Sequence, residues 1–211
     1  MKYIYLLFIL FPSFALSDIV KISKDFSTIS SSSFQSIVED KDKNISVLEI
    51  LNGRYETNYK KDLTGPTHSV FWIKFILKNE TAIPQRVILQ NSRAGTDKID
   101  IYVYKNKSLI AKHLLGDLRA QEEREFLSPK SAFNLELSPD TEYTIVSRLQ
   151  SIAPMNLSWQ IFNENEFLRD RDFKFIFNGL FAGVLIVLII YNLLLFKNLR
   201  DISFLLYALY L

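Results

Sequence analysis

Four side chains stand out for what they could do to a ligand. Trp72, Tyr102 and Trp159, with Tyr104 beside them, offer aromatic faces on which a sugar ring could stack, and Arg148, mid-strand among apolar neighbours, could pair with a carboxylate. Each also has a plainer reading. Such aromatics commonly pack a core, and an arginine in an apolar segment commonly pairs with a carboxylate of its own domain. His68 and His113 are the only histidines; they lie in separate segments without the His-x-x-x-His spacing or the acidic companion that a metal needs. There is no cysteine, which excludes thiolate metal sites, cysteine nucleophiles and disulfides. Glu122, Glu123 and Glu125 with Arg124 read as a solvated loop, not as carboxylates set across a cleft for glycoside hydrolysis. No glycine-rich phosphate loop or nucleophile elbow occurs. These residues point to binding rather than catalysis, with no cofactor and no metal.

Asn44, Asn79, Asn106 and Asn156 each head an Asn-x-Ser/Thr sequon, and Asn44 also has Asp42 two positions earlier, as bacterial N-glycosylation favours. A match of that kind also arises by chance. Asn44 is therefore a candidate modification site with an equally ordinary reading as surface asparagine.

The elements that must carry these residues are strands. Runs of alternating apolar and polar, β-branched or aromatic residues occur at Val47–Leu51, Ser69–Lys78, Arg86–Gln90, Lys98–Tyr104, Ser131–Leu137, Tyr143–Leu149 and Leu157–Phe162. Turn chemistry separates them, as at Leu63-Thr64-Gly65-Pro66 and Ser138-Pro139-Asp140-Thr141. Roughly eight strands with no helical period between them predict a mainly β fold, a jelly roll or two-sheet β-sandwich. In the run from Phe71 to Lys78, Phe71, Ile73, Phe75 and Leu77 share the core face; Trp72, Lys74, Ile76 and Lys78 point away, leaving Trp72 half exposed or covered by a loop. Ile99, Ile101 and Val103, then Phe133, Leu135 and Leu137, repeat the inward set. The polar stretch from about Lys21 to Asn44 reads as a weakly ordered lead-in with at most one early strand.

Both ends of the chain are apolar. Residues 1–17 combine Lys2, an apolar run from Ile4 to Phe11 and small residues at Ala15 and Ser17, the parts of a secretory signal cleaved after Ser17 or, alternatively, of an uncleaved anchor. Phe175–Phe196 holds no ionisable residue except Tyr191, and its 22 positions reach about 33 Å as a helix, enough for the roughly 30 Å hydrocarbon layer. A buried core helix of that length would need a polar stripe, which is missing. The expected division is a signal peptide over 1–17, a lead-in over 18–44, the exported sandwich over 45–163 and a charged connector over 164–174. A membrane helix over 175–196, a cytoplasmic turn over 197–201 and ten apolar residues over 202–211 follow. Those ten reach about half a bilayer, so they read as the start of a second, truncated membrane helix or as an interfacial tail. The net charge of +2, spread along the chain, suggests no nucleic acid.

The string Tyr191-Asn192-Leu193-Leu194-Leu195-Phe196 followed by Arg200-Asp201 and the aromatic run Ser203–Tyr210 resembles the first two membrane helices of a bacterial receptor family, the seven-transmembrane receptors with diverse intracellular signalling modules (7TMR-DISM). Phe71–Phe75, Ile99–Val103 and Ser147–Ser151 resemble strands of that family's jelly-roll extracellular domain, so the resemblance runs from about Val47 to Leu211. It implies a carbohydrate-binding-like fold and a periplasmic sensory role at the inner membrane. It also implies a small-molecule or saccharide ligand and, in full-length members, five further helices and a cytoplasmic output such as a diguanylate cyclase or histidine kinase. A homodimer is compatible with such a receptor. The alternatives are a membrane-anchored, non-signalling binding or adhesion-like domain and a truncated, non-functional receptor fragment.

Overall fold

In the computed structural model, residues 19–55, 57–120, 125–126 and 128–211 are described. Residues 1–17, expected as a signal peptide, and the loop residues Glu122, Glu123 and Arg124 lie outside them. The chain divides into two units, one ending at Phe162 and one running from Asn163 to Leu211.

The first unit is a two-sheet β-sandwich. Its strands are β1 (Ile19–Ile22), β2 (Thr28–Ser30), β3 (Ser36–Asp40), β4 (Val70–Asn79), β5 (Gln85–Asn91), β6 (Lys98–Lys105), β7 (Ser108–Leu115), β8 (Ala132–Leu137), β9 (Glu142–Gln150) and β10 (Trp159–Asn163). The larger sheet runs β1-β4-β9-β6-β7, with β3 also on β4; the smaller runs β2-β10-β5-β8. Period-two alternation determines which side chains meet between the sheets. Phe71, Ile73, Phe75 and Leu77 from β4 join Ile99, Ile101, Val103, Phe133, Leu135 and Leu137 in one buried cluster, as the alternation predicts.

The expectation of a weakly ordered lead-in is overturned, because residues 19–40 hold three strands. β1 and β3 share one edge of β4: β1 pairs in parallel with Ile76–Asn79, and β3 pairs antiparallel with Val70–Lys74. Each is short because the other occupies the rest of that edge. β2 pairs antiparallel with β10 at the rim of the smaller sheet. β7, absent from the expected strands, is the antiparallel partner of β6.

Val47–Leu51, expected as a strand, is the short helix α1. A five-residue apolar run fits either state, and the capping chemistry decides. The Ser46 backbone N–H donates to Glu49 Oε2 at 2.9 Å and the Glu49 N–H donates to Ser46 Oγ at 3.4 Å. The Ser46 N–H first, and then the Ser46 hydroxyl donating to the same Oε2 at 2.8 Å, hold the Glu49 carboxyl below its ordinary pKa. At the other end Lys74 Nζ donates to the carbonyls of Leu51 (3.0 Å) and Ile50 (3.4 Å), the second of which also accepts the Gly53 N–H at 3.2 Å. Ile50 of α1 packs in a second apolar cluster with Val38, Val70, Trp72, Tyr104 and Val146 on the outer face of the larger sheet, joined there by Val47 and Leu51.

In the second unit, Asn163 closes β10 and caps α2 (Glu164–Leu199), a single helix of 36 residues. The charged stretch 164–174 is thus its first three turns, stapled by Glu166–Arg169 and Asp170–Lys174 ion pairs. α2 is long and apolar enough to cross a membrane. Its break from α3 (Ile202–Tyr210) is narrower than the expected turn over 197–201: Arg200 takes a left-handed conformation and Asp201 caps α3 by accepting from the Ser203 N–H at 2.9 Å. α3 packs against α2.

Candidate functional site

Strand register brings three of the four residues singled out above onto one surface, the outer face of the larger sheet. Trp72, Arg148 and Asp100 stand side by side on β4, β9 and β6, and Lys74, Val146 and Tyr102 form the next row, with Lys112 of β7 beside Tyr102. Trp159 is elsewhere. It is fully buried between the sheets, its indole N–H donating to Ser147 Oγ at 3.1 Å and its ring edge-on to Phe133. Trp159 is therefore a packing aromatic and offers no stacking surface. Only strand parity distinguishes the two tryptophans in the sequence, and it is legible around Trp72 alone.

Trp72 is only 3 % exposed, because α1 covers it. Its indole N–H lies 3.4 Å from Asp40 Oδ2. The same buried carboxylate accepts the backbone N–H groups of Asn44 (3.2 Å) and Ile45 (3.1 Å), and so holds the segment that leads into α1. Asp40 and Lys74 together clip α1 over Trp72, the carboxylate at its entry and the ammonium at its exit. Burial lowers the Lys74 pKa below the ordinary lysine value.

Beyond α1 the face opens and turns polar. Asp100 lies between two guanidinium groups: Arg119 Nη2 is bonded to Oδ1 and Arg148 Nη1 is 3.7 Å from Oδ2. Arg148 thus pairs with a carboxylate of its own domain, the plainer of its two readings, while also lying 6.0 Å from the centre of the Trp72 ring and donating to Gln150 Oε1. One carboxylate against two arginines leaves a net positive charge to share. Tyr102 is half-buried, with Lys112 Nζ 5.4 Å from its ring centre. Tyr104, buried in the α1 cluster, has its pKa raised by burial and then by Tyr102.

At the open edge between β7 and β8, His113 stacks on Phe133 at 4.6 Å in a cleft of about 270 Å³ that Glu125 also lines. Burial lowers the His113 pKa and Glu125 opposes it. Among the described residues, no three His, Cys, Asp or Glu side chains converge as a metal site requires.

Two further clefts lie at the end of the sandwich where β3 and β9 finish and β4, β6 and β10 begin. One, of about 560 Å³, is lined by Asp40, Asp42, Asn44, Tyr55 and Asn58. The other, of about 230 Å³, is lined by Lys43, His68, Asp97, Lys98, Gln150 and Ile152, among others. Asn44 is exposed on the first. Asn79 is fully buried with its amide donating to the carbonyls of Ile83 (2.9 Å) and Leu137 (3.0 Å), which removes that sequon from consideration.

Among solved structures, the pre-peptidase C-terminal domain of a collagenase from Bacillus anthracis aligns at 7 % identity and TM-score 0.28, covering 69 % of this chain and 93 % of that one. CBM35 from Paenibacillus barcinonensis aligns at 12 % identity and TM-score 0.29, covering 64 % and 98 %. Those scores are too low for a shared fold to be read from them. Curated proteins yield no match. The model of a protein family, 7TMR-DISM extracellular 2, matches residues 32–163, which is more than half of the chain and spans the sandwich from the turn before β3 to the last residue of β10. With that match ending one residue before a helix able to cross a membrane, the chain belongs to the 7TMR-DISM extracellular 2 family and is a membrane-anchored protein with an exported N-terminal β domain.

Proposed function

We propose that the sandwich is the periplasmic, ligand-sensing input domain of a bacterial receptor held in the inner membrane by α2. The observation that carries this reading is the joint itself: the family-matched domain ends at residue 163, and Asn163 is both the last residue of β10 and the cap of α2. No loop separates them. In this reading a ligand-dependent change in the sandwich is passed to α2 along the chain through Asn163. The ligand is a small polar molecule, bound without chemistry on the open outer face by Tyr102, Lys112 and the Asp100–Arg148–Arg119 cluster. A saccharide remains the member of that class suggested by the resemblance, although with Trp72 covered and Trp159 internal only Tyr102 is placed to stack on one.

The absence of cysteine makes the test clean. A single cysteine replacing the exposed Arg169 in the first turns of α2 can carry a spin label in the full chain in lipid nanodiscs. A panel of neutral sugars, organic acids and amino acids should contain a ligand that both raises the melting temperature and changes the label's spectrum, with both effects lost in Tyr102→Ala. A thermal shift without a spectral change would favour a binding domain that is anchored but sends no signal, and no shift from any compound would overturn the sensor reading. Glycosylation of Asn44 is a separate proposal, checked by whether Asn44→Gln lowers the intact mass of the chain purified from its native host.

A further inference from the structure

The smaller of the two terminal clefts has a composition that selects a ligand class. Lys43, His68 and Lys98 line it, and none of the three has an ion-pair partner among the described residues. Gln150 adds an amide whose oxygen already accepts from Arg148, which leaves its N–H₂ group to donate. Asp97 is the one carboxylate in the lining, and its Oδ2 is occupied by the Ile152 N–H at 3.3 Å. The cleft is thus rich in hydrogen-bond donors, two of them ammonium groups, and poor in free acceptors. A ligand that only accepts, and carries negative charge, satisfies it.

Besides Ser151, whose Oγ accepts the Ala153 N–H at 3.2 Å, the remaining walls are apolar. Leu118 is 69 % exposed and Ile152 is 64 % exposed, each at the tip of a loop. These loops are braced. The Leu118 N–H donates to the Asp97 carbonyl at 3.0 Å, Asp117 N–H to the Thr96 carbonyl at 3.0 Å and Thr67 N–H to the Ile152 carbonyl at 3.3 Å. Gly116 makes the first contact possible: its φ is +118°, and a Cβ there would lie 2.4 Å from the Asp97 carbonyl oxygen. Two aliphatic side chains are therefore held in water by a rigid frame beside a cationic cleft. The volume of about 230 Å³ suits a molecule of metabolite size.

We propose that this cleft binds a small organic carboxylate with a short apolar body, the carboxylate against Lys43, His68, Lys98 and Gln150 and the apolar part against Leu118 and Ile152. The proposal rests on the sensor reading but places a ligand at a site separate from the Tyr102 surface. Calorimetry on the full chain in nanodiscs, with butyrate, benzoate, benzamide, inorganic phosphate and glucose as probes, tests it. Benzoate or butyrate should bind saturably, about tenfold or more weaker to Lys98→Gln and to Leu118→Ser, and unchanged by Lys24→Gln on the distant β1–β2 loop. Equal binding of benzamide, or of phosphate, would overturn the class, since the first lacks the charge and the second the apolar body. Failure of both carboxylates, or indifference of their binding to Lys98→Gln, would overturn the site. If the carboxylates fail while another compound still moves the label on α2, the sensor reading stands without this cleft; if nothing moves it, both fall.

Discussion

The two faces of the larger sheet are built from the same strands but made for different ends. Between the sheets, β4, β6 and β9 present Phe71, Ile73, Phe75, Ile99, Ile101, Val103 and Ile145, all buried to within a few per cent, and the Trp159 indole N–H admitted there is paired with the Ser147 hydroxyl. On the other side, one residue along, the same strands present Trp72, Lys74, Asp100, Tyr102 and Arg148, half roofed by a five-residue helix and otherwise open. The inner face spends its side chains on stability, at about 1.5–3 kcal/mol for each large residue buried. The outer face holds one carboxylate against two guanidinium groups and an aromatic roofed by a single short helix, arrangements that contribute less to stability than apolar burial does. The binding surface proposed above is thus the side of these strands that the core does not claim.

The inner face should be the harder to damage without losing the fold. Phe75→Ala, in the middle of β4, should cost about 3–5 kcal/mol and lower the melting temperature of the whole sandwich in one transition. Gly116→Ala comes next, at about 3 kcal/mol, because the residue would combine a positive φ with a backbone clash; hydrogen exchange should show the loss concentrated at residues 96–98 and 116–119. Asp40→Ala should cost about 1–3 kcal/mol, because it strands the N–H groups of Asn44, Ile45 and Trp72. Its signature is local: acrylamide should gain access to one tryptophan, Trp72, while Trp159 stays protected. If Asp40→Ala instead unfolds the sandwich as Phe75→Ala does, the roof is not a separable layer and the contrast breaks.

The smallest effect concerns His113, where the inner face meets water at the β7–β8 edge. Burial holds its folded pKa below the unfolded value of about 6.5, so the unfolded chain takes up the proton first as pH falls. Stability is then full above that unfolded value and declines from there down to the lower folded pKa. Glu125 faces the ring and Lys112 lines the same cleft, so both belong in the accounting. His113→Gln should flatten this part of the melting temperature against pH and leave the neutral-pH value little changed.

The sandwich itself is legible because β4, β6, β8 and β9 each turn a mainly apolar side to the core while their other side mixes polar residues with a few buried ones such as Trp72 and Val146, so period two survives in their sequences. It failed where that condition fails. Ile37 and Val38 of β3 are adjacent and both buried, one in each cluster, which hides the alternation of Ser36–Asp40. β1 and β2 are too short to show a period. α1 could have been found from Ser46 and Glu49, whose spacing is that of a capping box. The face shared by Trp72, Tyr102 and Arg148 depends on the register between three strands, which no single run encodes. Asp100 and Arg119, which complete the cluster, escaped notice because nothing local marks either as a partner of Arg148.

The β2–β10 pairing joins Thr28–Ser30 to residues 160–162, nearly the first and last residues of the sandwich. A chain made from its N-terminus cannot close the smaller sheet until almost all of the domain has emerged, and β2 has to wait for a partner some 130 residues away. The last residue of that partner is the one that begins α2. The domain therefore completes itself only as its anchor arrives, so folding and tethering end at the same stretch of chain, and a truncation that removes β10 would leave β2 without a partner and β5 with β8 alone, as well as the domain adrift.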